Sequence, residues 1–201
     1  MKKVNEVKNN LKRGFTLLEL LIVILIIGIL AAIALPQYRL VVDKAEFTKY
    51  QSMVASLRNA YDDYVLTHGQ ATRNFDDLSI ALPSSFTEVG ADKSDIKCVS
   101  DNNMWCCMRP FYKNEEGTNA YGGTIYCGKK DTDFSIVYQE ILYQSTGKIG
   151  NRAGKCLAKI DNTRANRLCK SIGKDITGHL AIVDPVTGNS TGGVYYQYTL
   201  K

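Results

Sequence analysis

Arg13-Gly14-Phe15-Thr16-Leu17-Leu18-Glu19-Leu20-Leu21 opens an apolar run that continues to Leu35. From Phe15 to Leu35 the only charged residue is Glu19. About 20 apolar residues are enough to cross a bilayer as a helix. The run shows no strand-like alternation, so a helix is the form that satisfies its backbone there. Lys2, Lys3, Lys8, Lys12 and Arg13 precede it, against Glu6 alone. Basic residues hold their flank in the cytoplasm, so the chain beyond Leu35 is expected outside. The rival reading is a cleavable signal peptide, whose apolar core is usually shorter; Ala31, Ala32 and Ala34 could supply its cut site. Glu19 argues against it, since a carboxylate at mid-bilayer costs about 2.5–3.5 kcal/mol. Near the N-terminal end of the helix the dipole lowers that cost, and the bland reading is a tolerated interfacial acid.

The string Gly14-Phe15-Thr16-Leu17-Leu18-Glu19, with Arg13 before it and the apolar run behind, resembles the N-terminus of type IV prepilins and type II secretion pseudopilins. Pro36 also falls where that family places a proline. The resemblance spans about residues 12–50 and says little about residues 70–201. It implies that a membrane-embedded prepilin peptidase cuts between Gly14 and Phe15 on the cytoplasmic side. The same enzyme would methylate the new amine of Phe15. A glycine at the junction lets the protease backbone approach closely. Glu19, with Thr16 beside it, would then meet the amine of a neighbouring copy during assembly, giving an intramembrane charge its partner. The segment between Gly28 and Pro36 would unwind locally as subunits pack. The leader, Met1 to Gly14, is longer than those common in the subclass whose mature chain starts with Phe.

The resemblance implies a structural subunit of a type IV pilus-like filament. Alternatives are a pseudopilin of a type II secretion system, and a minor or DNA-uptake competence pilin. A further class is a soluble exported domain freed by signal peptidase. The implied partners are copies of itself and other pilins, the prepilin peptidase, the assembly machinery and the inner membrane. The subunit would wait there as a single-pass protein, N-terminus in the cytoplasm, before joining an extracellular or periplasmic filament. No cofactor, no metal, no nucleic acid and no catalysis are expected.

The leader carries +4 of the formal +5 charge, so the remainder of the 201 residues is near neutral and the whole-chain balance is no sign of nucleic-acid binding. Cys98, Cys106, Cys107, Cys127, Cys156 and Cys169 all lie beyond the apolar run. An even count in an exported domain favours disulfides, and six cysteines leave 15 pairings open. Adjacent Cys106 and Cys107 do not suit each other geometrically and would point opposite ways on a strand. Cys156–Cys169 is the best local pair. Zinc would need paired Cys-x-x-Cys ligands, which the spacing lacks.

Residues 37–67 keep a helical rhythm: Tyr38, Val41/Val42, Ala45, Tyr50, Met53/Val54, Leu57, Ala60/Tyr61 and Tyr64/Val65. Arg39, Asp43, Lys44, Glu46, Lys49, Arg58, Asp62 and Asp63 are placed on the other face. The spacing predicts an amphipathic continuation of the membrane helix, ended by Gly69. Gly28 and Pro36 interrupt it, and a kink is expected near 32–36. Residues 69–97 read as a loop with a short turn at Phe75–Leu78. Strands are expected at Met104–Arg109, Thr124–Cys127, Phe134–Tyr143, His179–Val183 and Val194–Leu200, with a small helix near Arg164–Ile172. The fold class is α+β, a long helix packed on an antiparallel sheet. The divisions are a leader at 1–14, a membrane and filament-core helix at 15–35, its amphipathic continuation at 36–68, and an exported domain at 69–201.

Catalytic patterns are missing. The glycine-rich phosphate loops are absent. His68 suits a helix end, and His179 begins a strand; neither has a ligand set around it. Asp131, Asp133 and Glu140 read as acids on solvated loops and strand faces. Lys148, Arg152, Lys155, Lys159, Arg164, Arg167, Lys170 and Lys174 form a basic stretch, read as a solvated face in preference to a DNA-binding patch. Tyr195, Tyr196 and Tyr198 suit an exposed sheet or a subunit contact. Asn189-Ser190-Thr191 fits a glycosylation sequon, a short and common match.

Overall fold

A single helix, α1, occupies Leu17–His68 and passes through Gly28 and Pro36 without a break. The computed structural model describes residues 15–89, 96–109, 112–113, 120–121, 123–129, 136–142, 154–181 and 194–200. The chain divides into two units, Met1–Val41 and Val42–Lys201. In the first, the side chains of α1 are almost all exposed. Gly69, in the left-handed region at φ 69°, ends the helix, and its N–H donates to the Val65 carbonyl at 2.9 Å.

In the second unit, α1 buries Asp43, Phe47, Tyr50, Val54, Leu57, Ala60 and Tyr61. The steps 43-47-50-54-57-61 alternate four and three, one stripe along a helix. This corrects the expected stripe at its N-terminal end. Val42 and Ala45 are exposed, as is Tyr38, and Asp43, assigned to the polar face, is buried. The series running back from Leu57 and Phe47 reaches position 43, not 45.

The stripe packs on an antiparallel sheet. In chain order the strands are β1 (Thr87–Val89), β2 (Lys97–Ser100), β3 (Met104–Arg109), β4 (Tyr112–Lys113), β5 (Ala120–Tyr121), β6 (Thr124–Lys129), β7 (Ile136–Ile141), β8 (Lys155–Lys159), β9 (Gly173–Ala181) and β10 (Val194–Leu200). Eight of them form one sheet in the order β1-β2-β3-β6-β7-β8-β10-β9, and β4 and β5 pair separately. Helix α2 (Thr163–Ile172) leads directly into β9. The Asn162 side chain caps α2 by accepting from the Ala165 N–H at 3.0 Å. Strand β1 occupies part of the stretch read as a loop, and β2 and β8 lie where no strand was expected. Each is short, and β8 is three small or apolar residues between lysines, too little for a period to register. β9 starts earlier than expected, at Gly173, because its ladder with β10 supplies order that its polar sequence does not.

Both faces of the central strands are buried. The helix side carries Tyr138, whose ring meets Phe47 edge-on at 5.7 Å, and register places Cys106, Cys127 and Cys156 on the same side. The opposite side holds a cluster of Cys98, Trp105, Cys107, Tyr126, Val137, Leu157 and Tyr195. Four successive buried residues in β3 and again in β6 therefore replace the alternation of a one-sided sheet. Tyr195 and Tyr198 are buried, one on each side, which corrects their expected exposure. The Tyr198 hydroxyl donates to Asn166 of α2 at 2.7 Å.

Disulfides join Cys98 to Cys107, Cys106 to Cys127, and Cys156 to Cys169. The first two link directly opposed residues of neighbouring strands. The third ties α2 to β8, and its 13-residue separation corresponds to roughly 3 kcal/mol in the chain-entropy account.

Buried phenols give the domain an alkaline limit. Burial pushes the Tyr126 hydroxyl well above the usual phenol range. Burial does the same to Tyr138, helped by its hydrogen bond to Glu140 and that carboxylate's charge. A phenol raised in the folded state contributes stability that is complete below its unfolded value of about 10 and is lost as pH rises through the folded value. Denaturant midpoints are expected to hold steady to about pH 10 and fall beyond it, with phenolate absorbance of these two residues appearing only as the chain unfolds. Full phenolate absorbance in a chain still folded would contradict this.

Candidate functional site

The head of α1 is held by three hydrogen bonds between two residues. The Thr16 N–H donates to Glu19 Oε2 at 2.8 Å, and Thr16 Oγ1 donates to the same oxygen at 2.8 Å. The Glu19 N–H returns a bond to Thr16 Oγ1 at 3.2 Å. This is the reciprocal Thr-x-x-Glu capping box, which satisfies donors that the first helical turn leaves without partners. Both carboxylate contacts fall on Oε2. Phe15, just ahead of the box, is 87% exposed. Gly14 lies outside the described residues, so the junction itself is seen only from its Phe15 side.

Behind the box, Leu20 to Leu35 present apolar side chains all round. The most apolar 18-residue window of α1 has a mean hydropathy of 3.1 and is 0% buried. By length and composition this is the one helix among the described residues able to cross a membrane. Leu21, Ile24, Leu25, Gly28, Ile29 and Ala32 line an open apolar groove along it. A Cβ placed on Gly28 would meet nothing within 4 Å. Packing within the chain therefore does not require this glycine.

Three charged contacts, unforeseen in the sequence, fix the second part of α1. Asp43, 3% exposed, accepts two hydrogen bonds from the Arg164 guanidinium, one from Nε at 2.9 Å. Arg58 Nη1 donates to Glu140 Oε2 at 2.8 Å, and the Tyr138 hydroxyl donates to Glu140 Oε1 at 2.7 Å. Lys129 and Glu46 lie 3.5 Å apart. Glu140, read as a solvated acid, is thus buried and bonded at both oxygens. Its place could have been read from Ile136, Tyr138 and Glu140 sharing one face at a spacing of two. Arg164 stays exposed, as its assignment to a solvated basic face expected, while its guanidinium reaches Asp43.

The rest of that basic stretch is divided. Lys155 donates to Gln197 and Lys159 lies near Asp161, while Arg167, Lys170 and Lys174 are exposed; Lys148 and Arg152 lie outside the described residues. Asp131, Asp133 and the sequon at Asn189 lie outside them too. His68 stacks on Tyr64 at 4.2 Å, and its Nδ1 lies 2.8 Å from Thr67 Oγ1. His179 pairs with Tyr196 in the β9–β10 ladder. Among the described residues no group of three His, Cys, Asp or Glu side chains is placed to hold a metal.

A long helix laid on an antiparallel sheet, with a capped acid at the head of its apolar part, is a pilin-like arrangement. The family described as the prokaryotic N-terminal methylation motif matches residues 9–35. A type IV major pilin, PilE1, of Neisseria gonorrhoeae is 40% identical over 77 residues, 38% of this chain and 47% of that one. PilE of the same organism is 39% identical over 108 residues, 54% of this chain and 63% of that one. A fimbrial protein of Pseudomonas aeruginosa is 38% identical over 95 residues, 45% of this chain and 61% of that one. In this motif and in these relatives the chain is similar to type IV pilins. The chain spans about half the length of the curated relatives it matches. No solved structure matches it.

Proposed function

We propose that the chain is a structural subunit of a type IV pilus-like filament. It is made as a membrane-anchored precursor, cut between Gly14 and Phe15 by a prepilin peptidase, methylated on the Phe15 amine, and polymerised through residues 15–35. The carrying observation is the pairing of a lone capped carboxylate with a fully exposed apolar helix. The lipid bilayer covers that surface before assembly; helices of neighbouring copies cover it afterwards. Glu19 keeps its capping bonds through Oε2 and offers Oε1 to the neighbour's amine. Gly28, open on its own helix, allows a second backbone close approach, the role small residues play between helices in apolar surroundings. Pro36 leaves one helical carbonyl without its usual donor, which favours local unwinding between Gly28 and Pro36 during packing.

Relatives described as major pilins and fimbrial proteins favour a pilus over a secretion pseudopilin. Electron microscopy of cells with and without the chain separates surface fibres from a short periplasmic piston. Replacing Gly14 with Leu is expected to leave the leader attached, because a side chain at the junction blocks the protease's approach. Intact-mass measurement of membrane-extracted protein checks it: the natural chain should begin at a methylated Phe15 and the variant at Met1. A variant that still begins at Phe15 would count against peptidase recognition at this junction.

A further inference from the structure

The two disulfides of β3 are crossed in sequence. Cys98 bonds past Cys106 to reach Cys107, and Cys106 bonds past Cys107 to reach Cys127. The alternative pairing, Cys98–Cys106 with Cys107–Cys127, closes two loops that each differ from the native ones by a single residue. Closure entropy barely separates loops so similar, so oxidation of the unfolded chain has little reason to prefer the native set. The folded sheet prefers it strongly. Cys98 and Cys107 lie with Trp105 and Tyr126 on one side, and Cys106 and Cys127 lie on the other. Each alternative bond slips β3 by one residue, in opposite senses against β2 and against β6, and either slip turns every β3 side chain to the wrong side. Trp105 would move to the side packed by α1 and lose the bond from its Nε1–H to the Lys129 carbonyl, 2.9 Å in the native sheet.

We propose that this chain passes through the slipped isomer during maturation and is a substrate for a thiolate catalyst of disulfide exchange. Three exchanges convert one isomer to the other with no net oxidation. The catalyst thiolate attacks Cys127 Sγ, forming a mixed disulfide and expelling the Cys107 thiolate. Cys107 attacks Cys98 Sγ, forming the native Cys98–Cys107 bond and expelling the Cys106 thiolate. Cys106 attacks Cys127 Sγ, forming Cys106–Cys127 and returning the catalyst thiolate. Adjacency of Cys106 and Cys107 makes the middle transfer local. Exchange then stops, because Cys106, Cys107 and Cys127 are 0% exposed in the folded domain and exchange needs access to sulfur. The inference rests on pairing and register alone and stands apart from the filament reading.

The test uses the full chain in detergent, reduced, unfolded and then reoxidised with diamide, which accepts two electrons and two protons per bond and supplies no thiol. Reduced glutathione, as the probe thiolate, is added to one half. Tandem mass spectrometry that breaks the Cys106–Cys107 peptide bond reads the pairing, and fluorescence of Trp105, the single tryptophan, reads the face of β3. After diamide alone the two isomers are expected within about twofold of each other. Glutathione is expected to raise the native-to-slipped ratio about tenfold or more, with native fluorescence returning alongside. A Cys106→Ser, Cys127→Ser variant cannot form the slipped pair and should reach its final Trp105 signal equally with and without glutathione. Native pairing from diamide alone, an isomer ratio that glutathione leaves unchanged, or the same glutathione dependence in the variant would overturn the proposal.

Discussion

Cells carrying Glu19→Gln are expected to lose their filaments while continuing to remove the leader. Gln retains the capping box, since it can accept from Thr16 as Glu does. The head of α1 is therefore preserved, and the substitution removes charge alone. In the proposed filament the neighbour's amine would then sit unpaired in apolar surroundings. Breaking a buried pair in this way costs about 3 kcal/mol or more, which weakens each subunit contact about a hundredfold. Loss of a cap alone is worth only about 1 kcal/mol and cannot account for such an effect. Sheared filaments quantified against the membrane pool provide the measurement: the pool should be normal, processed to Phe15, with the sheared fraction near zero. Normal filament numbers in Glu19→Gln would remove the mechanism by which the proposed polymer forms.

Arg58→Met carries the largest expected effect within the second unit. The Arg58 side chain is 24% exposed and its partner Glu140 only 5%, so the substitution strands a carboxylate between α1 and the sheet. Tyr138 still donates to it, which satisfies one oxygen and leaves the charge without a counterion. The loss is about 3 kcal/mol, or roughly 6–12 °C in melting temperature for a domain of this size. Replacing Arg58 with Met and Glu140 with Leu together should recover most of it, because two apolar side chains of similar volume replace a buried pair at little cost. Thermal unfolding of the three proteins with their disulfides intact distinguishes the cases. Equal melting points for Arg58→Met and the natural chain would mean that the ion pair adds nothing to the seating of the helix.

Elements whose signal is local were legible in the chain. The apolar run with its one acid specified α1; the cap from Thr16 to Glu19 was not read, although a capping box needs only residues three apart. The expected bounds Met104–Arg109 and Val194–Leu200 coincide with β3 and β10, each a dense run of apolar or aromatic residues. Cys156–Cys169 was readable as a pair since it closes a short loop across a helix. Short elements failed for want of length: β1 has three residues and β2 four. The roles of Asp43 and Glu140 were misassigned because charge outweighed period in the reading, although both sit in register with buried neighbours.

What the sequence alone determined is the membrane-length helix, the single acid near its head, and the α+β class. These depend on composition and on spacings of a few residues. Tertiary structure alone decided which acids lie inside, which cysteines join across β3, and that both faces of the sheet are covered. Asp43 meets Arg164 across 121 positions, and Arg58 meets Glu140 across 82. No local pattern encodes a contact at such separation; it follows from strand order and register, which exist only once the sheet has closed against the helix.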